Sequence, residues 1–257
     1  MRLGRALSLC ALGMCVLLLK AQTEPLKTAT AKTSQKPDLR YAILKGAWSA
    51  ATISLFNTWS AFDDNPGRRA SFYSPDHKKL IEVVGSEAFL RMGGKSFKTD
   101  INNETNHDAE LGWAPDSTRF FVTWSDGGEQ GGWHMQVYGL DASGVHEIPG
   151  IAEPARKDFE LFVRKLPIDP TMDNPNMRSL WDSQDYCEPY NVVGGRWLNG
   201  SRQLLLSVLV PNTSACRYTT LFDVYRVDAV TGKILQRYAA AEGHKLFGDE
   251  YLPRIVF

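Results

Sequence analysis

Asp182, Asp185 and Glu188 fall within seven residues, and Asp63-Asp64-Asn65 form a second acidic cluster. Paired carboxylates serve glycoside hydrolysis or a Ca²⁺ site. This spacing matches no calcium-loop template, and solvated turn acids are the commoner use of such residues. The five histidines are His77, His107, His134, His146 and His244, and no two pair at helical or strand spacing, which argues against zinc. Gly127-Gly128 and Gly131-Gly132 lack the Lys-Ser/Thr that follows a phosphate loop. No G-x-S-x-G nucleophile elbow occurs. No catalytic residue, metal site or cofactor is therefore assigned. Asn103, Asn199 and Asn212 begin N-x-S/T triplets, which matter only in a glycosylating host.

Two cysteines do suggest covalent chemistry, and their compartment decides it. Arg2 and Arg5 precede an apolar run of about 14 residues that ends at Leu19, the length of a signal peptide rather than of a membrane span. Ala21 suits the cleavage position, so residues 1–21 are read as a signal peptide. Cys10 and Cys15 leave with it, and Cys187 and Cys216 remain. In an exported chain, periplasmic or extracellular, such a pair is expected as one disulfide. The loop it closes, about 29 residues, is worth on the order of 3 kcal/mol in the chain-entropy model. Removal of Arg2, Arg5 and Lys20 leaves 26 basic and 29 acidic residues, a charge of −3. Neither the full nor the mature charge argues for nucleic acid. No membrane span is expected in the mature chain.

Positioning these residues requires a scaffold. Residues 22–40 are polar, rich in Thr and Lys, and read as a flexible linker. From Tyr41 the texture changes to short runs of Val, Ile, Leu, Phe, Tyr and Trp, punctuated by Gly, Pro, Asn and Asp. One helical stretch interrupts them: Pro154 opens it, Ala155, Phe159, Phe162, Val163 and Leu166 share a face, and Pro167 ends it. The strands recur in units. ASFYSPDHKKLIEVV begins at Ala70, AELGWAPDSTRFFVT at Ala109 and VVGGRWLNGSRQLLLSV at Val192. Asp76 and Asp116 are 40 residues apart, and Asp116 and Asn199 are 83. In each unit a strand meets a turn and a second strand pairs back, with Asp or Asn capping the turn; Pro presets φ in the first two, and in the third no Pro is present and Gly200 follows Asn199. Two further strands follow, around the turns that contain Asp141-Ala142-Ser143-Gly144 and Asp228 to Gly232. Four strands per unit are a propeller blade.

SPDHKKLIEVV, APDSTRFFVT and the turn LDASG resemble the repeats of TolB-type propellers and of prolyl-oligopeptidase-type propeller domains. The resemblance covers residues 70–148 well and 192–238 fairly. It implies a scaffold and no activity. The expected fold is all-β: a small or incomplete β-propeller of four-stranded antiparallel blades over residues 41–257, with one short helix in a long inter-blade loop. A two-sheet β-sandwich is the alternative. The runs 42–56 and 251–257 are placed to complete one blade together.

In such blades alternate connections emerge on one side. Residues 125–133, 211–219, 100–108 and 151–190 are thus expected to share a side, which also brings Cys187 toward Cys216. The unusual residues lie there: Trp133, Trp181, Asp182, Asp185, Tyr186 and Tyr190. Two roles fit the aromatics, contact with a partner or capping of the core beneath the long loop. The favoured function is a non-enzymatic exported module that binds a protein or glycan through this loop face. The alternative is a secreted hydrolase acting on glycans or peptides with carboxylates of the same face.

Overall fold

The turns form as their residues dictate. In a computed structural model of the chain, Ser74-Pro75-Asp76-His77 closes through His77 N–H to the Ser74 carbonyl at 2.9 Å, and Ser117 N–H closes the Ala114 turn at 2.9 Å. Asp76 Oδ1 accepts from Lys78 N–H at 3.0 Å, and Asp116 Oδ1 from Thr118 N–H at 2.9 Å. His77 and Ser117 take φ of 57° and 58°, the left-handed step that returns the chain. Gly93 and Gly94, at φ 56° and 77°, make a tight hairpin that most other residues would strain.

The structure describes residues 48–56, 69–102, 108–125, 132–166, 190–210 and 221–253. All lie in the unit Arg40–Phe257. The strands are β1 Ile53–Phe56, β2 Arg69–Tyr73, β3 Lys79–Val84, β4 Glu87–Met92, β5 Lys95–Asn102, β6 Asp108–Trp113, β7 Arg119–Ser125, β8 Trp133–Asp141, β9 Gly144–Glu147, β10 Asn191–Leu198, β11 Gln203–Leu209, β12 Phe222–Asp228 and β13 Ile234–Ala239. Helix α1 is Glu153–Val163, α2 is Ala240–Phe247, and a 3-10 turn spans Asp249–Tyr251. The strands form three antiparallel sheets, in the orders β2-β3-β4-β5, β1-β6-β7-β8-β9 and β10-β11-β12-β13. The chain is all-β in class, and each repeat seen in the sequence is one sheet.

Three details depart from expectation. Among the described residues there are three sheets, where a β-sandwich has two. Strand β1 pairs antiparallel with β6 and makes the second sheet five-stranded; residues 42–47 and 254–257 of the two runs expected to complete one blade lie outside the described residues. A second helix, α2, follows β13 directly. Gly243 lets it settle there, since a Cβ at that position would lie 2.5 Å from Val224 Cγ2. Among the described residues no helix is long and apolar enough to cross a membrane.

The second sheet is buried on both faces. One face packs Ala109, Leu111, Phe120, Val122 and Tyr138 on Phe72, Ile81, Val83 and Leu90 of the first sheet. The other packs Phe121, Met135 and Val137 on Val192, Trp197, Leu206, Val208 and Tyr225 of the third. Ala155, Phe159 and Val163 of α1 join that core, which is the face the periodicity marked. Asp158 of α1 accepts from Tyr225 Oη–H at 3.0 Å and from an Arg237 Nη–H at 3.1 Å, and Arg237 also pairs with Asp223.

One bond type recurs between sheets. Trp113, at the end of the second sheet's β6, donates Nε1–H to the Phe72 carbonyl at 3.3 Å. Trp197, in the same position of the third sheet, donates to the Gly112 carbonyl at 2.9 Å. The turns are linked likewise: Asp76 N–H donates to Ser117 Oγ at 3.0 Å, and Asp116 N–H to Ser201 Oγ at 3.1 Å. Arg119 adds donations to the Ser201 and Ala229 carbonyls. Between the second and third sheets, the Phe121 ring fills the space that Gly112 and Gly194 leave. A Cβ on either glycine would lie 2.3 Å from that ring.

Gly194→Ala should therefore force the two sheets apart and lower stability by about 1–3 kcal/mol, read as a fall in the urea midpoint with an unchanged slope. A midpoint equal to wild type would show that the ring has room to move.

A pH dependence follows from the turns. Ser74 Oγ–H and Lys78 N–H hold Asp76 below the usual carboxylate range, Ser143 does so for Asp141, Thr231 for Asp228 and Arg156 for Glu153. Such groups contribute stability that is present above their unfolded values, near 4, and lost as pH falls toward their folded values. Burial acts oppositely on Asp223, pushing its carboxyl up, so that its contribution grows as pH falls. Four groups thus act in the first direction and one in the second. The urea midpoint should hold from pH 7 to about 5 and decline below about 4. Asp228→Asn should flatten that decline, and an unaltered acid limb in this variant would remove Asp228 from the account.

Candidate functional site

Strand direction brings the end of β7 and the starts of β6 and β8 together at one end of the second sheet. Asp108 lies opposite Ser125, and Ser125 opposite Trp133, in register across β6, β7 and β8 at that end. Asn191, the first residue of β10, reaches the same place: its Oδ1 accepts from Trp133 N–H at 2.8 Å. The start of β8 is thereby tied to the start of β10 across two sheets. The Trp133 ring meets the Trp48 ring edge-on, with centroids 4.4 Å apart, and both are partly exposed.

Trp48 is held from below by Glu110, a buried residue of β6 with 4% of its surface exposed. Glu110 Oε1 accepts from Trp48 N–H at 3.0 Å, and Oε2 accepts from Thr52 Oγ1–H at 2.8 Å. Ser49 Oγ–H donates to the Gly195 carbonyl at 2.6 Å, and Ala50 N–H to the Glu250 carbonyl at 2.7 Å. Residues 48–52 are thus pinned to β6, to β10 and to the C-terminal turn. A buried carboxylate is stable only when its acceptors are filled, and here backbone and hydroxyl donors fill them. Nothing in the local sequence Ala109-Glu110-Leu111-Gly112 marks Glu110 out, because its donors lie about 60 residues away in sequence.

Trp133 is the first residue of β8 and is partly exposed. Tyr190 does not belong among the contact residues: it is 2% exposed, sits in the core between the second and third sheets, and meets Phe159 of α1 edge-on. Of the two roles open to the aromatics, Tyr190 takes the capping one, because α1 packs over it. Trp181, Asp182, Asp185 and Tyr186 lie outside the described residues, as do Cys187 and Cys216. The connection expected at this end from Ile151 onward begins elsewhere. Gly150 and Ile151 touch Gly232, in the turn at the opposite end of β12. Helix α1 then carries the chain back.

A second polar group lies on the other face of the same sheet. Tyr138 Oη–H donates to Asp100 Oδ1 at 2.8 Å, which bridges the first and second sheets. Trp124 Nε1–H donates to Gln136 Oε1 at 2.7 Å, and the Trp124 ring lies against His134. Burial, then the Asp100 carboxylate, push the Tyr138 phenol far above its usual range, so it stays a neutral donor. This cluster joins sheets and offers no nucleophile. Among the described residues no three His, Cys, Asp or Glu side chains converge to hold a metal ion.

No family model matches the chain, and no curated protein matches it in sequence. Among solved structures, the crystal structure of Porphyromonas gingivalis dipeptidyl peptidase 4 aligns with a TM-score of 0.38 and 12% identity over 67% of this chain. The chain spans 26% of the length of that structure. The likeness is weak.

Glu110→Ala removes the acceptor of Trp48 and Thr52 and should cost about 2–3 kcal/mol. Hydrogen exchange at residues 48–56 should accelerate before any global unfolding. Equal protection of this segment in variant and wild type would show that packing alone holds β1.

Proposed function

We propose that the chain is an exported, non-enzymatic binding module of propeller-like build that engages a protein or glycan through the end carrying the long connections. The Trp48–Trp133 pair carries this reading. Two large aromatic rings stand partly exposed at one end of the sheets, each fixed by its backbone N–H to a buried partner, Glu110 or Asn191. Rings held in this way lose little freedom on contact, and such aromatics dominate recognition surfaces. In this reading the connections of the same side, with Trp181, Asp182, Asp185 and Tyr186 in the longest, add further contact residues. In this reading the successive sheets are blades, each adding one such connection to the same side. The basic and apolar N-terminus supports export, and a Cys187–Cys216 disulfide fits that compartment.

Presented to a glycan array and to an envelope extract, the mature chain should retain a partner. With the partner identified, Trp133→Ala should weaken affinity about 30-fold, and Trp181→Ala or Tyr186→Ala by a similar factor. Leu161→Ala, on the exposed side of α1, should leave it unchanged. Equal affinity of Trp133→Ala and wild type would place recognition elsewhere on the molecule.

A further inference from the structure

The third sheet holds its arginines in two ways. On the face toward α1, Arg237 is shared between Asp158 and Asp223. On the opposite face Arg196 of β10 and Arg226 of β12 stand in one row, with Leu205 of β11 between them and Gln236 of β13 at its end. This is the face of Leu205, Phe222 and Val224, which Leu252 and α2 pack against. The row lies beside the C-terminal turn, for the Arg196 guanidinium carbon is 4.1 Å from the centre of the Tyr251 ring.

Arg91, Arg119, Arg156, Arg164 and Arg237 each pair with a carboxylate. Among the described residues no carboxylate pairs with Arg196 or Arg226. Both are half-buried, and the Nε of each is buried with no acceptor. The acids close to the row in the fold are engaged elsewhere. Asp228, on the same face two residues beyond Arg226, has its Oδ1 filled by Val230 and Thr231. Asp249 pairs with His244, and the Glu250 carboxylate lies over Gly248. Two like charges are thus drawn partly out of water with no counter-charge, an arrangement that costs free energy until an anion joins it.

We infer that Arg196 and Arg226 together bind one oxyanion, a carboxylate or phosphate group. Stacking on Tyr251 covers a flat face of the Arg196 guanidinium and leaves its in-plane N–H groups to donate, the mode in which arginine takes carboxylate and phosphate oxygens. Of the unpaired nitrogens only Nε is buried, so the Nη groups are the donors a ligand meets. Two strand spacings, about 10 Å, separate the two Cα atoms, a span that two arginine side chains close on a single ion. The site is separate from the Trp48–Trp133 pair: Asn191 holds the Trp133 end of β10, and Arg196 lies toward its Asn199 end.

Titration of the mature chain with inorganic phosphate and with acetate, against chloride at equal ionic strength, tests this through the arginine side-chain magnetic resonance signals. At least one anion should shift the signals of Arg196 and Arg226 along a single saturating curve, with a Kd of about 1 mM, the scale of two charge-assisted contacts. Which anion does so identifies the group taken. Arg226→Gln should weaken binding about tenfold, and Arg196→Lys, which keeps the charge and gives up the planar fork, about fivefold. Arg202→Gln, which removes the same charge from the exposed turn after β10, should leave it unchanged. A wild-type chain that takes neither anion better than chloride would overturn the inference whether or not any variant folds. So would wild-type affinity in Arg226→Gln, or equal weakening by Arg202→Gln, which means general attraction to the surface.

Discussion

The rest of the structure depends on the spacing between the second and third sheets, and Phe121 sets it. Its ring lies where neither Gly112 nor Gly194 has a side chain, so the two sheets approach until the ring is enclosed. At that distance Trp197 reaches the Gly112 carbonyl and the Gly194 amide reaches Thr123 Oγ1 at 2.9 Å. A wider gap would leave a buried indole N–H and a buried amide unpaired, each a cost comparable to a lost hydrogen bond. Packing and polar satisfaction thus select the same separation. The Asn191 contact to Trp133 lies across this gap, so the aromatic end inherits its geometry from the core.

Burial patterns record the same constraint. Strands β6 and β7 are buried on both faces over most of their length, whereas β3 and β4 alternate. A strand between two sheets has no solvent side, and its sequence reads as a continuous apolar run. Phe120-Phe121-Val122 and Leu204-Leu205-Leu206 are such runs, and each lies in a sheet covered on both faces. Lys79 to Val84 keeps the alternation, and among the described residues one face of the first sheet is packed in a core.

What was legible in the sequence was local. Pro75-Asp76 and Pro115-Asp116 specify their turns through atoms a few residues apart, so a 40-residue repeat of them located two sheets, and Asn199-Gly200 located the third. Helix α1 was legible because Ala155, Phe159 and Val163 share one face over three turns. Strand β1 was not, since Ile53–Phe56 is four residues long and its pairing with β6 rests on Glu110, an acid whose partners are distant in the chain. Helix α2 was missed for a related reason. Ala240-Ala241-Glu242-Gly243 opens it without a capping side chain or a break after β13, and a mid-helix glycine ordinarily argues against a helix. Here close approach to Val224 outweighs that cost.

Function was less legible because the polar residues that first suggest chemistry are mostly committed to architecture. Arg119, Arg237, Asp158, Asp223, Tyr138 and Asp100 each join one element to another. A guanidinium shared between two carboxylates is a clamp, and its charges are neutralised where they stand. At one end of the strands stands the Trp48–Trp133 pair, partly exposed and held by Glu110 and Asn191. Across the strands, the second sheet packs on one face of the first and α2 on one face of the third.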